Sequence, residues 1–314
     1  MTGEEKALHA VLVECLRLRR GETFLAVTDP DRRKVAEILV HRARGLGAEA
    51  VLVVMDERAG HGAEPPKPVA AALAACDVFV APTTKSLSHT EARLAACAGG
   101  ARGATMPGIT YEMLVRSMSA DHASLRRRSR DLAKILTEGR EVQVTSAEGT
   151  DVSFSIEGRD GIADDGDLSR PGAFGNLPAG EAFVAPVEGA TRGRVVFDGA
   201  SAALGEPLVI TVADGYARAW EGRAGERFEA LAAPHGREAF AVAELGIGVN
   251  DTAKITGALL EDEKVLGTVH IAFGDNHSFG GAVRVGFHHD FVVRRPRVTI
   301  DGRTILSSGR LKLE

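Results

Sequence analysis

The chain has 314 residues, of which 44% are hydrophobic and 26% are charged. This composition is typical of a folded globular protein rather than a disordered or fibrous one, and the length predicts two domains or one large α/β unit. The 38 basic and 43 acidic residues give a net charge of −5, which argues against a broad surface for nucleic acid or for an anionic membrane. We therefore expect a small molecule or a short peptide as the partner.

The N-terminal segment, residues 1–20, carries charged residues inside every apolar stretch. It therefore predicts an amphipathic helix and neither a signal peptide nor a membrane span. The three cysteines, Cys15, Cys76 and Cys97, form no C-x-x-C pair, so neither a disulfide framework nor a thiolate zinc site is indicated. Together these features predict a cytoplasmic protein.

Between residues 23 and 139, short apolar runs alternate with stretches of helical periodicity, which is typical of βαβ units around a parallel sheet. Buried strands are predicted at 23–27, 50–55 and 77–81. Helices are predicted at 31–46, 68–76, 89–98 and 119–138. We expect an α/β domain over residues 1–139, doubly wound and flavodoxin-like in general style.

After residue 139 the pattern changes to alternating or β-branched runs separated by Gly, Asp or Pro, which predicts a mostly β domain over residues 140–314. Strands are predicted at 141–145, 151–156, 194–197 and 208–212. Asp301-Gly302 stands between two further apolar runs and predicts a hairpin with a type I′ turn.

The triplet His288-His289-Asp290 follows an alternating apolar run and is predicted to lie on a strand. Residues i and i+2 of a strand share a face, so His288 and Asp290 can bind one ion while His289 points away. Imidazole with carboxylate suits zinc, manganese, cobalt or iron, but two ligands alone hold none of these metals well. Further ligands are therefore expected upstream.

Three upstream residues, Glu181, Glu244 and His270, each interrupt an apolar run that resembles a strand. A buried ionised carboxylate needs a partner, and a metal is one such partner. The alternatives are that each faces solvent, or that His270 is a hydrogen-bonded core histidine. Taken together with the H-x-D pair, the set favours a metal site in the C-terminal domain.

His277, in a glycine-flanked polar loop between the ligand blocks, is a candidate proton shuttle, although an ordinary surface loop would look the same.

Four blocks of sequence then carry a family resemblance. They are N-L-P-A-G-E-A-F-V-A-P from Asn176, E-L-G-I-G from Glu244, H-I-A-F-G from His270 and H-H-D from His288. In this order they resemble the metal-binding blocks of the M29 family of thermophilic aminopeptidases, and S-L-S-H-T from Ser86 resembles that family's N-terminal α/β domain. The resemblance implies a homodimeric metallohydrolase that removes N-terminal residues from peptides with one or two divalent metals, such as zinc, cobalt or manganese.

By that resemblance the ligands of a two-metal centre are Glu181, Glu244, His270, His288 and Asp290, with Glu244 as the bridging carboxylate. Metal-activated water would be the nucleophile, and Glu181 or Glu244 would take its proton. Val265 departs from the family pattern, because a glutamate is expected five residues before the histidine that His270 matches. The acids at 261–263 are predicted to lie in a polar turn, so the second metal site would lack one ligand.

The chain also resembles relatives of that family, the iron(II) dihydroxypyridine ring-cleaving dioxygenases. There a single iron is held by two histidines and one aspartate, which leaves positions open for substrate and dioxygen. The resemblance implies His288 and Asp290 as two of these ligands. Glu244 stands where the other histidine is expected, so His270 would have to serve. The sequence therefore ranks a hydrolase first and a dioxygenase second, with a degenerate metal- or ligand-binding member as the non-enzymatic alternative.

Overall fold

The computed structural model describes residues 1–199 and 205–313. The chain divides into two compact units, Met1–Ala123 with Gly166–Ala179, and Ser124–Asp165 with Gly180–Glu314. Within the described ranges, no helix has both the length and the apolar character needed to cross a membrane. The predicted domain boundary between residues 139 and 140 stays a prediction.

The helices and strands of the described residues follow the sequence patterns closely. The α-helices are α1 (Gly3–His9), α2 (Arg33–Gly45), α3 (Lys67–Ala74), α4 (Glu91–Ala98), α5 (Tyr111–Ser117), α6 (His122–Glu138), α7 (Gly222–Ala232) and α8 (Leu259–Asp262). The strands are β1 (Thr23–Thr28), β2 (Glu49–Val54), β3 (Val78–Ala81), β4 (Arg102–Thr105), β5 (Glu141–Thr145), β6 (Asp151–Ser155), β7 (Ile162–Asp164), β8 (Phe174–Asn176), β9 (Glu181–Val184), β10 (Arg192–Phe197), β11 (Leu208–Ala213), β12 (Tyr216–Glu221), β13 (Val242–Gly248), β14 (Val269–Gly274), β15 (His288–Val293), β16 (Arg297–Ile300), β17 (Arg303–Ser307) and β18 (Arg310–Leu311).

The first unit is built on a parallel sheet with the strand order β2-β1-β3-β4-β8. An order of this kind is found in doubly wound α/β folds. Strand β1 is buried over almost its whole length, as expected of a parallel strand covered on both faces. Helix α2 buries Val35, Leu39 and Ala43, which recur every four residues and so form one face of the helix. The predicted parallel sheet is confirmed.

The second unit contains two antiparallel sheets, which agrees with the mostly β character predicted after residue 139. The larger has the order β12-β11-β10-β6-β5-β16-β17-β18, and the smaller has the order β15-β14-β13-β9-β7. The predicted hairpin joins β16 to β17, and Asp301 and Gly302 have φ values of 49° and 81°. Positive φ at both central residues is the mark of a type I′ turn.

The two antiparallel sheets share one hydrophobic core. It includes Val142 and Phe154 from the larger sheet and Ala182, Leu245 and Ile271 from the smaller one. Because side chains alternate between the faces of a strand, the residues between these core positions project from the opposite face of the smaller sheet. That opposite face carries the candidate site.

Candidate metal centre

All five candidate ligands project from one face of the smaller sheet, on strands β9, β13, β14 and β15. The register that places them pairs Glu181 with Gly248, Gly246 with His270, Glu244 with Ala272, Ala272 with Asp290, and Gly274 with His288. Directly paired residues in antiparallel strands point to the same side of the sheet. The structure therefore brings together all five residues that the sequence singled out.

The small residues on this face make room for the ligands. A Cβ atom on Gly246 would lie 2.0 Å from Nε2 of His270, so the imidazole occupies the space above that glycine. A Cβ atom on Gly248 would lie 2.2 Å from the carbonyl oxygen of Val265, which allows the following loop to pass close to the sheet. Because alternate residues of E-L-G-I-G share a face, Glu244 lies on the same face as Gly246 and Gly248, which have no side chain to fill the space above them.

The carboxylate of Glu244 lies at the centre of the cluster. Its Oε1 is 3.2 Å from His270 Nε2, and its Oε2 is 3.6 Å from His288 Nε2. Glu181 Oε2 is 3.4 Å from His270 Nε2, and Asp290 Oδ2 is 3.5 Å from His288 Nε2. The candidate ligands therefore form two groups that share Glu244. One group is Glu181, Glu244 and His270, and the other is Glu244, His288 and Asp290. Within each group the ligand atoms lie within 4.8 Å of one another.

Hydrogen bonding fixes the orientation of His288. Its Nδ1 donates to the backbone carbonyl of Asp275 at 2.7 Å, which directs Nε2 at Glu244 and Asp290. This arrangement is common in metal-binding histidines, because the second hydrogen bond sets the tautomer and the ring orientation. The His288 side chain is 27% exposed, against 1% for His270, so solvent and substrate can reach the cluster from the His288 side.

The residues present fit a divalent cation. Within the described part of the chain, Glu181 Oε2 and Asp290 Oδ1 are buried and accept no hydrogen bond. Carboxylate oxygens left in this state cost free energy unless a cation or a proton compensates them. Two imidazoles and three carboxylates are a donor set for zinc, manganese, cobalt or iron.

The charges of the cluster shift its pKa values in opposite directions. Burial raises the pKa of the Glu244 carboxyl. Burial alone would lower the pKa values of His270 and His288, but the neighbouring carboxylates outweigh it and raise them to about 9 and about 10. Burial would likewise raise the pKa of Asp290, but the positive charge on His288 outweighs it and holds that pKa well below its usual range.

These pKa values predict that metal binding strengthens as the pH rises. Near neutral pH both imidazoles are protonated in the metal-free chain, because their pKa values of about 9 and about 10 lie above the pH. A metal binds only the neutral imidazole, so each binding event must displace protons. We expect the apparent affinity to increase from pH 7 and to level off above the pKa of His288. Titration calorimetry in two buffers of different ionisation enthalpy measures the protons released, and an affinity that does not change with pH would contradict this assignment.

A buried lysine beside the cluster was not among the predicted site residues. Lys264 Nζ lies 2.5 Å from Glu181 Oε1, 2.8 Å from Glu263 Oε1 and 3.4 Å from Asp164 Oδ2. Burial raises the pKa of Glu263 to about 8 and that of Asp164 to about 7, although Lys264 opposes both shifts. The three carboxylates outweigh burial at Lys264 and raise its pKa well above the ordinary value.

The sequence predicted a polar turn at 261–263, and this prediction was wrong for Glu261 and Asp262. Residues 259–262 form the short helix α8, and Glu261 and Asp262 are fully buried. Their carboxylates accept hydrogen bonds from backbone N–H groups of the preceding loop, including those of Lys254 and Thr256. The charged run E-D-E-K at 261–264 is typical of a surface segment. For this reason the sequence did not indicate that these residues, including Lys264, are buried.

Two other histidines have different surroundings. The ring of His289 lies on the opposite face of β15, where it stacks on Phe287 and makes a tilted contact with Phe291. His277 is exposed, and its ring contacts the guanidinium of Arg284. In the described residues, the structure does not bring His277 into contact with any of the five candidate ligands, and its role as a proton shuttle stays a prediction.

Two phenylalanines, Phe183 and Phe279, form an aromatic wall beside the cluster. Their ring centroids are 5.5 Å apart in an edge-to-face arrangement, and the Phe279 centroid is 5.9 Å from that of His288. The loop that carries Phe279 is held by the buried side chain of Asn276, whose Oδ1 accepts from the N–H of Val283 at 2.8 Å. An apolar, ordered surface therefore lies next to the candidate metal ligands.

Comparison with known proteins places this architecture in a family. The family model for NicX, 2,5-dihydroxypyridine 5,6-dioxygenase, matches residues 5–313. The chain belongs to this family. No curated protein sequence shows significant similarity to it.

Two solved structures share the fold of this NicX family member. One is 2,5-dihydroxypyridine dioxygenase from Pseudomonas putida KT2440, with a TM-score of 0.81, 16% identity and coverage of 99% of this chain and 96% of the other. The second is AmpT from Thermus thermophilus, an M29 aminopeptidase, with a TM-score of 0.72, 18% identity and coverage of 98% of both chains. The chain is thus similar to both groups that the sequence motifs indicated, but the family match favours the dioxygenase, which the sequence ranked second.

Proposed function

We propose that this protein is a mononuclear iron(II) dioxygenase that opens a hydroxylated aromatic or nitrogen-containing aromatic ring. The observation that carries the proposal is that His270 and His288 both lie beside the carboxylate of Glu244. Asp290 lies beside His288 in the same cluster. Two imidazoles and one carboxylate are the donor set of non-haem iron oxygenases. The family match over residues 5–313 supports the same reaction class.

In this proposal the residues of the chain bind and orient the substrate and hold its proton. Iron(II), when bound by His270, His288 and Asp290, would supply the one-electron chemistry that dioxygen requires. Burial raises the pKa of Glu244, so its carboxylate is suited to accept the proton of a ring hydroxyl and to retain it. The aromatic wall, Phe183 and Phe279, would contact the flat ring of the substrate and exclude water.

Oxygen uptake with 2,5-dihydroxypyridine as the probe tests this proposal. Protein loaded anaerobically with iron(II) is expected to hold about one iron per chain, and to consume dioxygen as the ultraviolet absorbance of the ring disappears. Zinc-loaded protein is the control and should consume none. An iron-loaded protein that consumes no dioxygen with this probe or with a panel of other hydroxylated six-membered rings would contradict the proposal.

The shared position of Glu244 favours a second candidate, a two-metal hydrolase of the aminopeptidase type. A carboxylate common to two groups of ligands can bridge two metal ions, and paired metals activate water and polarise a carbonyl. The fold shared with AmpT is consistent with this reaction. Release of amino acids from aminoacyl anilides by zinc-, cobalt- or manganese-loaded protein without dioxygen would restore the hydrolase to first place, and absence of both activities would favour the non-enzymatic alternative.

We also propose that the substrate is a small molecule and that the protein is a cytoplasmic homodimer. The first follows from the partial exposure of the cluster, which opens to solvent at His288. The cytoplasmic location rests on the three cysteines, which form no C-x-x-C pair, and the homodimer rests on the family resemblance.

A further inference from the structure

The side chain of Lys264 is only 3% exposed and is surrounded by three carboxylates, those of Glu181, Glu263 and Asp164. Its ammonium group donates a hydrogen bond to Glu181 Oε1 and forms ion pairs with Glu263 and Asp164. The lysine therefore places a fixed positive charge among these three carboxylates, next to the candidate metal ligands.

Glu181 joins the lysine to the metal centre. One of its oxygens, Oε1, lies 2.5 Å from Lys264 Nζ, and the other, Oε2, lies 3.4 Å from His270 Nε2. The two groups of candidate ligands are consequently not equivalent. The group of Glu244, His288 and Asp290 contains no lysine contact in the described structure, whereas the group of Glu181, Glu244 and His270 directly adjoins a fixed positive charge.

We propose that the ammonium group of Lys264 takes the place of a second divalent cation, and so confines the centre to one metal ion while positioning Glu181. This inference rests on the metal centre of the proposed function. A second divalent ion coordinated by Glu181 would lie a few ångströms from Nζ, where repulsion between like charges in a buried site is large. The lysine also neutralises carboxylate charge that would otherwise attract that ion.

Removal of the ammonium should create the second site. In the variant Lys264→Met the side chain keeps the unbranched apolar stem without the ammonium group, so Asp164, Glu181 and Glu263 lose their internal cation. The carboxylates of buried Glu181 and Glu263 and of partly buried Asp164 form an oxygen-rich donor set, which suits Mn²⁺. The variant is therefore expected to bind about two Mn²⁺ ions per chain where the natural protein binds about one.

The experiment measures bound Mn²⁺ per chain by equilibrium dialysis and elemental analysis. Lys254→Met is the matched control, because Lys254 is an exposed lysine of the same unit; it should bind about one ion, as should the charge-conserving Lys264→Arg. A folded Lys264→Met protein that still binds one ion would overturn the inference, as would a natural protein that binds two. A natural protein that binds none would overturn the metal centre itself. Because oxygen uptake is not part of this measurement, failure of the ring-cleavage proposal does not alter its result.

The buried position of Lys264 also makes the folding of the variant informative. If Lys264→Met is unfolded without metal, Mn²⁺ should restore its structure, because the ion would replace the lost positive charge. Circular dichroism during a Mn²⁺ titration measures this recovery. A variant that remains unfolded at every Mn²⁺ concentration would contradict the proposed replacement of a metal ion by the ammonium group.

Discussion

His288→Ala and Asp290→Ala are each expected to lose the bound metal and the catalytic activity while the chain stays folded, whereas His289→Ala retains the metal. His288 and Asp290 project into the ligand cluster and keep 27% and 12% of their side chains exposed. Truncating them removes few packing contacts. We expect metal affinity to fall by more than about 100-fold, beyond the effect typical of residues that only support a ligand.

His289 is the matched control because it stands between the two ligands in the sequence but projects from the other face of β15. Its ring centroid lies 4.8 Å from that of Phe291, so His289→Ala should lower the free energy of unfolding by about 1 kcal/mol through lost packing without changing the metal content. Metal per chain and thermal unfolding of the three variants are the measurements. Equal metal content in all three would show that the faces of this strand have been misassigned.

Gly246→Ala is expected to weaken metal binding, although it adds only one methyl group. The new Cβ atom would lie 2.0 Å from Nε2 of His270, so the imidazole must move away from Glu244. His270 is buried on all sides, and overpacking of such a site costs about 1–3 kcal/mol. The expected result is a less stable protein whose metal affinity and activity both fall by at least about tenfold.

Gly286→Ala is the control for this prediction, because the nearest atom to its added Cβ is 3.9 Å away, within ordinary van der Waals contact. It should leave both stability and metal content unchanged. Chemical denaturation gives the free energy of unfolding, and metal titration gives the affinity. If Gly246→Ala binds metal as tightly as the natural protein, the imidazole of His270 does not occupy the space above this glycine, and the position described for it is wrong.

Local sequence patterns were sufficient for most of the secondary structure and for the five candidate ligands. Period-two alternation identified the strands, and the H-x-D spacing placed His288 and Asp290 on one face. Polar residues inside apolar runs marked Glu181, Glu244 and His270, because such residues need a partner when buried. These features depend only on residues close together in the chain, so the sequence alone can reveal them.

The tertiary structure decided which strands are neighbours and which charges meet. The register that pairs Glu244 with Ala272, and Ala272 with Asp290, joins segments that no local pattern relates. Lys264 contacts Glu181 across 83 positions of the chain. The polar run around Lys264 predicted a turn, since charged residues are seldom fully buried without partners. The sequence by itself was enough to propose the five candidate ligands. The buried lysine beside them became visible only in the tertiary structure, because long-range packing brings the distant carboxylates of Asp164 and Glu181 to Lys264.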